Sequence, residues 1–364
     1  MKDTDGSGTA ETTDLPKYRI LAWPAYKSAF NSYTVLLYDA FDSGRCAVED
    51  WTPMRALLRP ADFWHIHFPD ALVSVSGRTR ALLNVVVFCV LLQCARWRGT
   101  RIVWTVHDLD SPEGLHPTLQ SWLYRFFTRR VDAVTSLSET GCRGVVERFP
   151  VLDGRPCHAI RHGHYRGAYA DTLTPAEARR SLGIAPDATV LLLFGRVRAY
   201  KGLPELIAAF RALEGENLVL VVAGKPFDHA IEGELRDAAG GDPRIRLFLD
   251  LIPDDRVQVF FRAADLALVP YRRILHSGVL MLALSFDCPV LASDVGSLPE
   301  YQEAAGDRWV RTFSGRLTPD TLGQAAEWVA AGRNGPCDLD GFGWREIAAR
   351  TCAVFDDLYR RRGG

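Results

Sequence analysis

T-V-L-L-L-F-G-R-V-R-A-Y-K-G-L-P-E-L-I-A-A-F, from Thr189 to Phe210, is the stretch that decides the fold. A run of β-branched and apolar residues short enough for a buried strand opens it. A glycine-containing turn follows, and from Leu203 apolar residues recur at helical spacing. The reading is strand, loop, helix. Arg196 and Lys201 stand in the loop beside Gly195 and Gly202, where the free amides and positive end of the next helix favour an anion. A phosphate site is the local expectation, with a solvated basic loop as the alternative.

The same order repeats downstream. N-L-V-L-V-V-A-G-K (217 to 225), R-I-R-L-F-L-D-L-I-P (244 to 253), A-D-L-A-L-V-P-Y (264 to 271) and C-P-V-L-A-S-D-V-G-S-L-P-E (288 to 300) read as strands ending in glycine, proline or polar turns. Helical spacing between them predicts a doubly wound parallel sheet. Between Tyr271 and Cys288, His276-Ser277-Gly278 opens an apolar helix. Its free amides make a second anion cradle on the same sheet edge, a plain serine cap being the alternative. Upstream, residues 166 to 188 read as a connection with one short helix, capped by Thr174 with Pro175 at its first position.

The first half has its own strand and helix alternation. Tyr18 to Trp23 is a strand, and after a loop from Pro24 an apolar helix runs from Thr34 to Phe41. That loop lies at the carboxyl ends of the strands, where open α/β sheets bind ligands. Asn31 and Tyr33 are therefore candidates to face a substrate, capping by Asn31 or Ser32 and core packing by Tyr33 being the alternatives. D-F-W-H-I-H-F-P-D (62 to 70) is a strand with His65 and His67 on one face, and R-I-V-W-T-V-H-D-L-D (101 to 110) ends at His107 and Asp108. With His162 and His164 the histidines form two H-x-H pairs, which lack the third partner of a metal site. The apolar run Ala81 to Leu92 contains Asn84 and falls short of the ~20 residues of a membrane span. A core helix is expected there, although the basic flank of Arg96, Arg98 and Arg101 suits a membrane-touching role. Residues 131 to 138 and 157 to 165 are further strands around a helix from Glu139 to Phe149, and a last helix from Trp344 to Arg362 is long enough to cross back over the molecule.

Composition bounds the function. At 364 residues the chain fits two domains of roughly 170 to 180 residues. A net charge of -1 gives no pull toward nucleic acid. Eight cysteines without a C-x-x-C pair suit free thiols in a reducing cytoplasm. No signal-peptide pattern opens the chain, and residues 1–16 read as a disordered tail. The expected division is then 17–170 for a first Rossmann-like domain, 171–188 for a linker, 189–340 for a second such domain with the anion-seeking loops and 341–364 for the returning helix.

F-G-R-V-R-A-Y-K-G, V-V-A-G-K and P-Y-R-R-I-L-H-S-G-V-L-M-L-A-L-S-F-D-C-P-V-L-A-S-D-V-G-S-L-P-E resemble the group-1 type retaining glycosyltransferases of the GT-B fold. The likeness covers nearly all of the second domain, and in the first only V-W-T-V-H-D-L and R-H-G-H-Y. It implies two Rossmann-like domains facing across a cleft, a UDP- or GDP-linked sugar donor, no metal or other cofactor, and transfer of a hexose-type sugar with retention. By position, Arg196 and Lys201 would bind the donor diphosphate, and Ser277 and Gly278 would offer amides to its distal phosphate. Gly195 and Gly224 would line the donor site, Leu251 and Ile252 would pass the nucleobase, and His107 would reach the sugar near the reacting carbon. The candidate acceptor contacts are Asn31, Tyr33, His67 and Asp110.

The family's usual pair of glutamates, eight positions apart, is replaced here by Ile274 and Leu282, which the likeness to bacterial polysaccharide-type enzymes matches. Glu300 is the substitute polar group near the donor, or else a cap. A lipid-linked glycan is the expected acceptor, with a small natural product second, in a cytoplasmic enzyme with peripheral membrane contact. A non-catalytic sugar-nucleotide-binding partner and a sugar-nucleotide 2-epimerase are the rival functions.

Overall fold

The computed structural model describes residues 18–27, 32–110, 114–330, 332 and 335–361. It contains two six-stranded sheets. The first is built from β1 (Tyr18–Trp23), β2 (Cys46–Asp50), β3 (Phe63–Ile66), β4 (Arg101–Val106), β5 (Ala133–Ser136) and β6 (Cys157–Ala159) in the order β2-β1-β3-β4-β5-β6. The second comprises β7 (Thr189–Phe194), β8 (Leu218–Ala223), β9 (Ile245–Phe248), β10 (Leu266–Val269), β11 (Val290–Ser293) and β12 (Val310–Phe313), ordered β12-β11-β10-β7-β8-β9. Every pairing between these strands is parallel. Each crossover carries the chain back over a face, so both sheets are covered on both sides and their strands are nearly all apolar.

Strand order fixes where ligands can enter. The direction of winding reverses between β1 and β3 in the first sheet and between β7 and β10 in the second. At such a switch point the neighbouring loops diverge and leave a crevice at the carboxyl edge. The loops that flank the two crevices are those after β1, β3, β7 and β10, and they include the glycine and histidine segments singled out above.

The short edge strand β2, C-A-V-E-D, is absent from the periodicity reading because its Glu49 and Asp50 break the apolar run. The connection helix Pro175–Ser181 forms as expected, with a reciprocal capping box between Thr174 and Glu177. The last helix, Trp344–Arg360, packs Ile347, Ala348, Cys352 and Phe355 against Tyr18, Ile20, Phe63 and Val103 of the first sheet. The carboxyl end of the chain thus completes the core of the amino-terminal half.

Candidate active site

At the carboxyl edge of the second sheet, Gly195 ends β7 at φ 89° and Gly224 ends β8 at φ 140°, angles that side-chain-bearing residues avoid. A Cβ on Gly224 would lie 2.4 Å from the Gly195 carbonyl oxygen. The two turns therefore touch through backbone alone, and they open a cavity of about 450 Å³ lined by Gly195, Arg196, Arg198, Gly224, Lys225, Leu251, Ile252 and Asp254. Next to it the loop after β7 meets the loop after β10, since a Cβ on Gly202 would stand 2.3 Å from the Pro270 carbonyl oxygen. The helices Leu203–Arg211 and Gly278–Ser285 start at this junction, and both turn their unpaired first amides toward it.

Gly224→Ala is expected to cost about 1–3 kcal/mol through backbone strain and to weaken donor binding. Gly233→Ala, in the helix His229–Ala239 and with open space around its Cβ, should be neutral or stabilising by about 0.5–1 kcal/mol. Denaturant unfolding and ligand-induced thermal shift would separate the two.

Lys201 is buried under the first of these turns. Its Nζ donates to the Phe194 carbonyl oxygen at 3.1 Å and lies 5.1 Å from the centre of the Tyr271 ring. Burial, with the Arg198 guanidinium second, lowers its pKa from 10.5 to about 7. A Cβ on Gly195 would be 3.3 Å from Nζ, so only the glycine floor lies between this amine and the cavity. Arg196 and Arg198 supply permanent charge on the cavity wall.

In the first sheet the histidines form one buried network. The Tyr38 hydroxyl bridges His65 Nδ1 at 2.8 Å and His67 Nε2 at 2.7 Å. His65 Nε2 meets Thr105 Oγ1 at 2.7 Å, and His67 Nδ1 meets His107 Nε2 at 3.1 Å. Burial lowers His65 to about 3 and holds His67 and His107 well below 6.5, so the chain is neutral near pH 7. Stacking on Phe68 at 4.5 Å and an edge contact from Tyr33 at 4.9 Å fix the His107 ring just past the end of β4. Asp108, the next residue, opens into a cavity of about 230 Å³ between the halves, facing Asp110, Tyr200, Arg273, Ile274 and Leu275. Water reaches its carboxyl. Even so, the crowded cleft walls, and Asp70 after them, raise its pKa from 3.8 to about 7, while among the described residues no hydrogen bond is made to it.

The two halves meet directly. Ser297 Oγ donates to the Leu275 carbonyl oxygen at 2.7 Å, so its remaining lone pairs accept from His276 Nδ1 at 3.1 Å. His276 Nε2 is then an acceptor for Ser136 Oγ of the first sheet, 3.1 Å away. Packing there is close, since a Cβ on Gly141 would lie 2.8 Å from His276 Cε1.

Several expected contacts are relocated. Glu300 does not face the donor cavity: its carboxylate accepts from the Glu139 and Thr140 amides at 3.1 and 2.7 Å, capping the helix Glu139–Arg148 of the other half. The carboxylate goes there because that helix end concentrates unpaired N–H groups and positive dipole. Tyr33 and His67 are 3 and 1 % exposed. Both pack against His107 and present almost no surface to a ligand, which counts against their reading as acceptor contacts. Arg96 and Arg101 pair with Asp132, and Arg98 binds the Ala56 and Leu57 carbonyls, so the expected basic edge is spent internally. Asp110 is on the cleft and paired with Arg148 at 2.8 Å. Ser277 caps its own helix through the Leu280 amide, leaving the Gly278 amide at the switch point. Leu251 and Ile252 share the cavity with Arg196. Asn31 lies outside the described residues.

Residues 175–321 match the family described as Glycosyl transferases group 1. Over 324 residues the chain is 28% identical to the GDP-mannose:glycolipid 4-beta-D-mannosyltransferase of Xanthomonas campestris, covering 87% of this chain and 85% of that one. This chain is a glycosyltransferase, and its second half carries the group-1 domain. Its fold is that of the sucrose-phosphate synthase of Thermosynechococcus elongatus, with a TM-score of 0.67 at 16% identity over 95% of this chain and 100% of the other. Anabaena HepE, solved with UDP and glucose, superposes with a TM-score of 0.61 at 16% identity, covering 95% and 99%. The glycosyltransferase thus has the two-domain GT-B fold. Asp108 lines the cavity between its two halves.

Proposed function

We propose that this glycosyltransferase moves a mannosyl group from GDP-mannose to a hydroxyl of a glycolipid at the inner face of the cytoplasmic membrane. The observation that carries this is the likeness to the Xanthomonas mannosyltransferase along both domains, 87% of the chain. A likeness confined to the donor half would leave the acceptor unaddressed. The Gly195–Gly224 cavity receives the nucleotide. Arg196 and Lys201 hold the diphosphate, the Gly278 amide takes its distal end, and Asp254 is the wall carboxylate available to ribose hydroxyls in place of the family's glutamates.

As the sugar–phosphate bond stretches, negative charge collects on the diphosphate. Fixed cations and helix amides already aimed at it stabilise that state more than the ground state. The linkage named for the Xanthomonas relative is β, and a donor whose mannose is α-linked yields a β-bond by inversion. We accordingly take the transfer as inverting, departing from the retention that the group-1 resemblance implies. Inversion requires a base on the acceptor side, and Asp108 stands there, with its pKa near 7. The acceptor O–H proton passes to the Asp108 carboxylate, the oxygen bonds the anomeric carbon, and the electron pair of the broken bond leaves on the diphosphate. His107 is the neighbouring polar wall for the sugar, held rigid by His67 and Phe68.

The test is a panel of GDP-, UDP- and dTDP-sugars with purified protein, following thermal shift and slow hydrolysis to free nucleoside diphosphate, with and without EDTA. Stabilisation and turnover by GDP-mannose, unchanged by the chelator, are expected. Turnover of a UDP-sugar alone would replace the donor assignment, and loss of activity in EDTA would show that the cations do not suffice.

A further inference from the structure

Two helices of the first domain leave an apolar face uncovered. Arg78–Trp97 is 20 residues, about 30 Å long, and among the described residues it is the helix long and apolar enough to cross a membrane. One side of it, with Ala81, Val85, Phe88 and Leu92, packs into the core of the first domain. Only 39% of its most apolar window is buried, however. Leu82, Leu83, Val86, Val90 and Trp97 are 44 to 78% exposed, and their spacing puts them on one stripe. The helix Pro53–Leu58 packs beside it, tied by Arg98 to the Ala56 and Leu57 carbonyls. Its Met54, Leu57 and Leu58 are 47 to 66% exposed. Single apolar residues on a surface are ordinary, but a run of them along two adjacent helices marks an interaction face.

We propose that this face docks on an anionic lipid bilayer, lying flat in the interface. Charge selects that occupant over a protein surface. The two helices contain no Asp or Glu; Arg55 and Arg96 are held by Glu49 and Asp132, and Arg78 and Arg80 supply the basic margin. Arg78 and Arg80 are exposed at the end where the stripe begins, and Trp97 is exposed at the other. An apolar stripe with a one-signed basic margin and a terminal tryptophan fits the headgroup boundary, where acyl chains cover the stripe and anionic headgroups meet the arginines. Position gives the contact a purpose, which rests on the glycolipid reading above. The helix starts after β3, hence at the carboxyl edge of the sheet, the edge that carries His107 and Asp108. A bilayer under Leu82 and Leu83 would present a lipid-linked hydroxyl beside the cleft mouth.

Flotation with phosphatidylcholine vesicles, with and without phosphatidylglycerol, tests the proposal on the full chain. The parent is expected to float with the anionic vesicles, and Leu83→Glu/Val86→Glu to lose at least about tenfold in partitioning while keeping its melting temperature and donor hydrolysis. A parent that stays in solution with both vesicles, or a double variant that floats like the parent, would overturn it. So would a dimer in size-exclusion chromatography that the double variant converts to monomer, which would make the face a self-interface. Vesicle binding without turnover of any nucleotide sugar would remove the functional reading and leave this one standing.

Discussion

Lys201→Ala is expected to lower turnover about 10²- to 10³-fold, the usual cost of removing one preorganised group aimed at developing negative charge. Its Nζ is held by the Phe194 carbonyl under Gly195, and so needs little reorganisation when the diphosphate arrives. The lowered pKa gives this role a pH signature. A diphosphate favours the protonated amine, so donor binding takes up a proton wherever the free enzyme has lost it, above about pH 7. Affinity should fall by up to about tenfold per pH unit above that point, until the pKa of the bound state is reached. Calorimetry at pH 8 in two buffers of different ionisation enthalpy would read the uptake directly, and Lys201→Ala should abolish it. Stability has the opposite slope: the unfolded lysine binds its proton up to about 10.5 and the folded one only to about 7, so stability rises with pH between those values. Equal turnover in Lys201→Ala and the parent would remove the lysine from the chemistry.

Asp108→Asn should lower kcat about 10²- to 10⁴-fold, the contribution of a positioned general base, with the thermal shift by GDP-mannose unchanged. In the parent the carboxyl must be ionised to accept the proton. Because its pKa is raised, the rate should fall about tenfold per unit as pH drops below about 7, and the asparagine variant should lack that limb. The anomeric configuration of the product, read by NMR coupling, closes the argument. A retained linkage, or an asparagine variant within a few-fold of the parent, would return the enzyme to a mechanism without a protein base. Together the two substitutions divide the reaction between the domains. Lys201 acts on the leaving group from the second, and Asp108 on the nucleophile from the first.

The donor half was largely legible in the linear chain because its signals are local. Gly195, Arg196, Gly202 and Lys201 fall within eight residues between a strand and a helix, and the same few residues make the turn, the cation set and the helix start. Leu251 and Ile252 were reached through the resemblance, and the structure places them on the cavity wall with Arg196. The acceptor side was read less well. Tyr33 and His67 are polar residues near the right edge, but whether such a side chain faces the cleft or the core depends on what packs over it. Here Tyr38, from the helix Tyr33–Asp39, reaches over β3 to bridge His65 and His67. No signal marked Asp108 over His107, since both end the same strand.

What the sequence by itself determined is the two-sheet α/β architecture, its chain order and the anion-seeking edge of the second sheet. These follow from apolar periodicity and from glycines at strand ends, which neighbouring residues dictate without knowledge of the rest. Only the tertiary structure decided that Glu300 caps a helix 160 residues away, that Ser136 and His276 join the domains across 140 positions, and that half of an apolar helix remains uncovered. Such pairings cost chain entropy to close and are selected by the packing of whole faces. No stretch of the chain carries them alone.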